Sequence, residues 1–102
     1  SNAFGRLCAV PSLGAGLNKC TATQKLTVRF RNGAERCRPQ GRQGSHPLKK
    51  LFQEYGVPPW LRERVPLIYQ GEALVAVADL WVCHGYGAEA NEEAYQLVWE
   101  RP

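Results

Sequence analysis

Only one stretch of this sequence keeps a helical period, and that limits the architectures open to it. Leu48, Leu51, Phe52 and Tyr55 stand at i, i+3, i+4 and i+7, the apolar stripe of an amphipathic helix over about residues 46–55. Ser45 is a natural N-cap, Pro47 is tolerated in a first turn, and Gly56 closes the helix at C′. Lys49 and Lys50 fall off the stripe and stay in solvent. Val57-Pro58-Pro59-Trp60 then redirects the chain, with Pro59 opening a short helical turn over about 59–64. In this reading Trp60 and Leu61 cover the helix and sheet and leave Arg62 and Arg64 exposed; stacking of Trp60 on a base or ribose is the other reading.

Nearly all other apolar content lies in short runs of strand character, broken by glycine and proline. Phe4 to Val10 is the first, ended by Pro11-Ser12-Leu13-Gly14-Ala15-Gly16, a loop whose glycines resemble only a fragment of a dinucleotide fingerprint. Leu26 to Arg31 alternates cleanly, and Asn32-Gly33 after it signals a type I′ hairpin. Pairing Arg31 with Ala34 places Arg29 opposite Arg36 and gathers Arg29, Arg31, Arg36 and Arg38 on one face. Val28, Phe30 and Cys37 take the other face, where Glu35 requires an open tip or a bulge. Further on, Leu67–Gln70 and Ala73–Val77 flank the tight turn Gly71-Glu72, Leu80–Cys83 is a third strand, and Ala94–Glu100 alternates with Tyr95, Leu97 and Trp99 on one side. The acidic run 88–93 is expected to be mobile. One helix, one helical turn and about six strands define an α+β fold: a small, mainly antiparallel sheet or sandwich-like unit with its helices on one side.

At 102 residues the chain has room for one core. Ser1-Asn2-Ala3 reads as an expression-tag remnant, leaving 4–102 as one domain cut from a larger protein. No apolar run approaches the roughly 18 residues of a membrane span, and no signal-peptide pattern is visible, so the expected location is cytoplasmic. Cys8, Cys20, Cys37 and Cys83 include no C-x-x-C pair, and three of them sit in strand-like apolar runs, which favours reduced thiols over disulfides.

Charge is strongly segregated. Residues 1–64 hold twelve of the 13 lysines and arginines against Glu35, Glu54 and Glu63, a net +9, whereas residues 65–102 carry Arg101 against six acids, a net −5. Such a split points the first part towards a polyanion, where solubility alone would be served by mixed charges. Four arginines on one sheet face repel one another, which a phosphate backbone would relieve. The alternative is that they pair with acids of the second part, such as Glu72 or Asp79. Gly41-Arg42-Gln43-Gly44-Ser45 leading into a helix start is either an anion seat or an ordinary loop and cap.

The stretch GRQGSHPLKKLFQEYGVPPWLRERVPLIYQGEALVAV, residues 41–77, resembles the C-terminal domain of bacterial tRNA(Ile)-lysidine synthetase, with GAERCRP before it and DLWVC after it. Leu48-Lys49-Lys50, Gln53-Glu54, Val57-Pro58-Pro59-Trp60, Arg62 and Pro66-Leu67 carry the similarity, which covers residues 33–84 well and the flanks by general pattern. The resemblance implies a tRNA-binding domain of an ATP-dependent ligase, which converts the wobble cytidine of a minor tRNA(Ile) to lysidine. It implies a grip on the acceptor-stem side, and a fold similar to a domain of phenylalanyl-tRNA synthetase β-chains. ATP, magnesium and lysine belong to an N-terminal catalytic domain with an S-G-G-x-D-S loop; this sequence has no such loop, and no cofactor is expected in it. By the same resemblance, Arg36 and Arg38 match the family's basic strand, Arg42, Lys49 and Lys50 its loop-and-helix cluster, and Arg62 its arginine after the tryptophan. His46-Pro47 departs from the small or basic residues usual there. Arg29 and Arg31 enter the candidate set by the hairpin register, and Arg64 by its exposed position beside Arg62.

An A-form stem hides its bases in a deep, narrow groove, so its reader needs cations on a rigid surface rather than the aromatic platform of a single-strand binder. Here the Phe and Trp residues are assigned to apolar faces. Two other classes compete. A packing module, docked on the catalytic domain of the same chain or on a second copy in a homodimer, would have its basic face neutralised by protein acids. An independent enzyme would need a thiol–imidazole pair at Cys83-His84, yet neighbours on a strand point to opposite faces. A metal site from Cys37, His46, Cys83 and His84 lacks any local ligand spacing. Because a small basic surface makes few phosphate contacts, the domain alone is expected to bind weakly.

Overall fold

A computed structural model describes residues 4–102; the reading of residues 1–3 as a tag remnant lies outside the described residues. The architecture is α+β, three layers deep. The central layer is a four-stranded antiparallel sheet of order β3-β6-β7-β8, built from β3 (Thr27–Arg29), β6 (Leu67–Gln70), β7 (Ala73–Val77) and β8 (Trp81–Val82). Side chains of β6 alternate between two cores. Leu67 joins Val77, Leu48, Leu51, Phe52 and Trp81 under the helices, while Ile68 joins Val75, Ala76 and Leu17 on the opposite face. That period of two explains why β6 is buried on both sides.

Helix α2 (Leu48–Glu54) covers the first of these faces, with Leu48, Leu51 and Phe52 essentially inaccessible. Its end follows the sequence closely. Val57 N–H donates to the Phe52 carbonyl at 2.9 Å and Gly56 N–H to Gln53 at 3.2 Å, while Gly56 takes φ +71°, together a Schellman motif. Its start differs: Pro47, not Ser45, is the N-cap and offers no side-chain bond. Residues 46–47 form β5 (His46–Pro47), paired with β4 (Arg36–Cys37), and the Leu48 N–H donates to the Glu35 carbonyl at 3.0 Å. A neighbouring backbone thus supplies the first-turn acceptor that Ser45 was expected to give. The helical turn after the prolines is α3 (Pro59–Arg62), with Pro59 in its first turn.

Against the second face lies a three-stranded sheet, β1-β9-β2, formed by β1 (Arg6–Leu13), β9 (Glu93–Glu100) and β2 (Leu17–Asn18). Strand β1 runs through Pro11 instead of ending there, because β1 is an edge strand and a missing N–H on its outer side breaks no ladder bond. Asn18 caps a short helix that the periodicity did not reveal, α1 (Lys19–Ala22), accepting from Thr21 N–H at 2.8 Å.

The hairpin over 26–38 is corrected by the structure. Strand β3 pairs with β6, Arg29 opposite Leu67, and β4 pairs with β5, Arg36 opposite Pro47. At the expected turn, the Glu35 carboxylate accepts from Asn32 N–H at 2.6 Å and Gly33 N–H at 3.1 Å, while the Asn32 side chain accepts from Ala34 N–H at 2.9 Å. The turn is therefore closed by side chains rather than by a strand ladder, and its two arms part to different sheets. The acidic run 88–93 is likewise tied down: Ala88 N–H donates to Gly16, Gly14 N–H to Glu92, and Glu89 N–H to the Glu92 carboxylate at 2.7 Å.

Candidate nucleic-acid interface

With the hairpin undone, the nine candidate cations divide into groups. Arg29 is committed elsewhere: its guanidinium donates to Glu72 at 3.1 Å and to the Gly71 carbonyl at 3.0 Å, and lies 4.4 Å from the Tyr69 ring centre. Arg31 is half-buried, 5.6 Å from the Phe52 ring centre, with its Nε enclosed and unbonded. Neither joins Arg36 and Arg38 on a common face, as the hairpin register had required. For Arg29, pairing with Glu72 is the alternative foreseen from the charges.

Five of the remaining seven gather along one continuous piece of chain, residues 36–50. Strand β4 carries Arg36 and ends just before Arg38; a loop carries Arg42; β5 returns the chain alongside β4 and runs directly into α2, whose first turn carries Lys49 and Lys50. Five cations and no carboxylate lie in this segment. Several of them are oriented by the protein. Arg36 donates to the Ser45 carbonyl at 3.0 Å and to its hydroxyl at 3.3 Å. The Arg38 Nε donates to the Arg42 carbonyl at 2.9 Å, which leaves its two terminal nitrogens to other partners. Arg42 pairs with Glu54 at 3.1 and 3.5 Å; this bond holds the Glu54 carboxyl below the usual carboxylate range, aided by the charges of Arg42 and Lys50. No ion pair among the described residues includes Arg36, Arg38, Lys49 or Lys50. Arg62 donates to the Val57 carbonyl at 2.9 Å, and Arg64 is exposed just beyond α3.

Two features escaped the sequence reading. Trp60 is not core: it stands on α3 and is 78% exposed. Neighbours on a helix diverge by about 100°, so a four-residue turn buries one of the pair, and Leu61 takes that place. The second is an open cleft of about 620 Å³ reached by Arg38, Arg42, His84, Glu89 and Glu92. Its walls come from three loops far apart in sequence, and no local spacing marks it. Cys83 and His84 face apart as expected, Cys83 buried and His84 exposed. All four cysteines are free, and Cys37 and Cys83 are the buried pair. The interaction between the two thiols pushes the Cys83 thiol up, with burial adding to the rise, and holds Cys37 down against the opposing effect of its burial.

The fold and this surface define a small α+β module that displays a basic hairpin and helix start, four of whose five cations have no ion pair among the described residues. Residues 26–99 match the family described as the TilS substrate C-terminal domain, and the chain belongs to that family. The match extends on both sides of residues 33–84, where the motifs concentrate. Its relatives are tRNA(Ile)-lysidine synthases. That of Coxiella burnetii is 44% identical over 99 residues, 97% of this chain and 22% of its own length. The Shewanella woodyi protein is 51% identical over 70 residues, 68% of this chain and 15% of its own. The Yersinia pestis protein is 37% identical over 99 residues, 97% of this chain and 21% of its own. The chain thus spans about a fifth of the length of the curated relatives it matches. No helix among the described residues is long and apolar enough to cross a membrane.

Proposed function

We infer that this chain is the tRNA-binding domain of a cytoplasmic tRNA(Ile)-lysidine synthase, holding the acceptor-stem side of the tRNA through its phosphates. The ligase chemistry, with ATP, magnesium and lysine, falls to a catalytic domain elsewhere in the parent protein. One observation carries the reading: residues 36–50 present five cations with no acid among them, while acids of the second part pair with cations outside it. Arg6 faces Glu100, Lys19 faces Glu93 and Arg29 faces Glu72, so these three acids of the second part are spent outside the segment; within it only Arg42 has an acid partner, Glu54. Such a surface suits an A-form helix, whose phosphates are accessible and whose bases are not. Arg36, Arg38, Lys49 and Lys50 make the primary contacts, Arg42 supports them from its pair with Glu54, and Arg62 and Arg64 extend the positive field.

A salt titration of binding to an acceptor-stem RNA duplex tests this. Each phosphate contact contributes a slope of about −0.9 in log affinity against log salt, taking the duplex DNA value. The Arg36→Glu/Lys50→Glu variant, both positions exposed, is expected to keep its fold by circular dichroism and lose most of that slope. Absence of binding at low salt, with both proteins folded, overturns the reading in favour of a packing module. That second reading has one observation of its own, the large apolar surface of Trp60 standing in solvent. It predicts that Trp60 becomes covered by the catalytic domain or by a second copy.

A further inference from the structure

The mixed-charge cleft beside the basic segment carries a more specific inference, which rests on the RNA-binding reading and deepens it. We propose that this cleft receives a single unpaired nucleotide of the bound RNA, its phosphate on Arg38 and the amino edge of its base on Glu89 and Glu92.

The cleft is walled by chain segments tied to one another rather than by loose loops. Its walls are tied to one another through backbone: His84 N–H donates to Arg38 at 2.7 Å, Gln40 N–H to Val82 at 2.9 Å, and Asn18 N–H to Tyr86 at 2.9 Å. The Gln40 side chain donates to the Ala88 carbonyl at 3.3 Å, joining the basic wall to the acidic one. At about 620 Å³, and half-open to solvent, it falls within the roughly 300–1,000 Å³ of small-molecule sites and has room for one nucleotide.

Its charges are arranged for an occupant with both an anion and hydrogen-bond donors. Arg38 and Arg42 line it together with Glu89 and Glu92, yet no ion pair joins these arginines to these acids. Arg42 is held by Glu54 instead, and Glu92 uses one carboxylate oxygen on the Glu89 N–H. Arg38 is fixed through Nε, so its terminal nitrogens are set for an incoming phosphate. Carboxylates accept from the N4 amine of cytosine, where uracil presents an oxygen acceptor, and unpaired bases are read on such edges. Cytosine is therefore favoured over uracil.

Binding of three RNA duplexes to the 102-residue chain tests this: one blunt, one with an unpaired 3′ cytidine and one with an unpaired 3′ uridine. The cytidine extension is expected to tighten binding at least fivefold over blunt, and the uridine extension by less than twofold. Glu89→Ala is expected to erase the cytidine gain and leave blunt-duplex affinity within twofold. Blunt binding with no gain from cytidine, or equal gain from both bases, overturns the cleft assignment and leaves the phosphate-reading surface standing. Amide shifts on adding cytidine 5′-monophosphate provide a readout independent of the duplex. Shifts confined to residues 38–43, 84–87 and 89–92, and larger than with uridine 5′-monophosphate, support the proposal. Absent shifts, or equal ones with ribose 5-phosphate, refute it even if the duplex fails to bind.

Discussion

Replacing Trp60 with alanine should leave the protein almost as stable as before, an unusual outcome for the largest side chain in the repertoire. Trp60 is 78% exposed, so only about a fifth of its surface is covered. A fully buried aromatic removes about 150–250 Å² from water, which puts the covered part at roughly 50 Å². At about 25 cal/mol per Å² this amounts to ~1 kcal/mol, an upper bound because the unfolded chain also shields part of the ring. Alanine's better helix propensity returns about 0.5 kcal/mol. The expected net change is below ~1 kcal/mol, measurable as a shift of at most about 1 M in the urea midpoint. Trp99 is the internal control. It is 3% exposed, its indole N–H donates to the Phe4 carbonyl at 2.9 Å, and the Arg101 guanidinium lies 4.5 Å from its ring centre. Trp99→Ala should cost about 3–5 kcal/mol, a large part of a small domain's stability. Acrylamide quenching gives a second check, because its most accessible component should vanish in Trp60→Ala. A loss above 2 kcal/mol on removing Trp60 would refute the placement of this side chain in solvent.

Three further outcomes follow from local geometry. Glu54 should titrate below the ordinary glutamate value in a carboxyl NMR titration and move up in Arg42→Gln, since the Arg42 bond is the main cause of its lowered pKa. Because the folded value is the depressed one, the pair's contribution to stability is present above the unfolded pKa of about 4.3 and is lost as pH falls through the folded value. Gly16→Ala should destabilise by more than ~2 kcal/mol in urea unfolding: Gly16 has φ +99°, and an added Cβ would run into the Tyr95 carbonyl and come within 2.7 Å of the Gln96 Cα. A thiol reagent should label exposed Cys20 first in the native protein and reach Cys37 and Cys83 only on unfolding, whereas rapid labelling of all four would contradict the buried pair.

The helix and the second half of the chain were legible because local signals there agree with tertiary packing. The Leu48, Leu51, Phe52 stripe, the Gly56 stop, the Gly71-Glu72 turn and the β9 alternation each have one local solution that also serves the core. Reading failed where several partners were open to the same segment. Asn32-Gly33 is a good turn in isolation, but Glu35 closes it with side-chain bonds, and the arms find better partners in β6 and β5. Strand pairing is non-local, and nothing in residues 26–38 announces Ile68 or His46 as the opposing residues. Trp60 failed for a different reason. Hydrophobicity marks a residue as able to be buried, while a single helical turn has room to bury only Leu61. Of the candidate cations placed by family motif, five lie on residues 36–50 and Arg62 ends α3, whereas Arg29 and Arg31, placed by the hairpin register alone, lie outside residues 36–50.

The separation of charge along the sequence becomes meaningful only when the acids are followed to their partners. If the second part of the chain existed to neutralise the first, Glu72, Glu93 and Glu100 would reach the densest basic segment. They do not: each pairs with a single cation outside residues 36–50. Exposed pairs of this kind contribute little to stability, commonly below about 1 kcal/mol each, so their placement is not forced by the fold. Their effect is on the field instead, which is flattened around Arg6, Lys19 and Arg29 and left standing over Arg36, Arg38, Lys49 and Lys50. Glu89 and Glu92 line a cleft with Arg38 without pairing with it. A uniformly basic surface would hold any polyanion. One with carboxylates set into a cleft at its edge suits a polyanion that also carries hydrogen-bond donors, as nucleic acid does in the exocyclic amines of its bases.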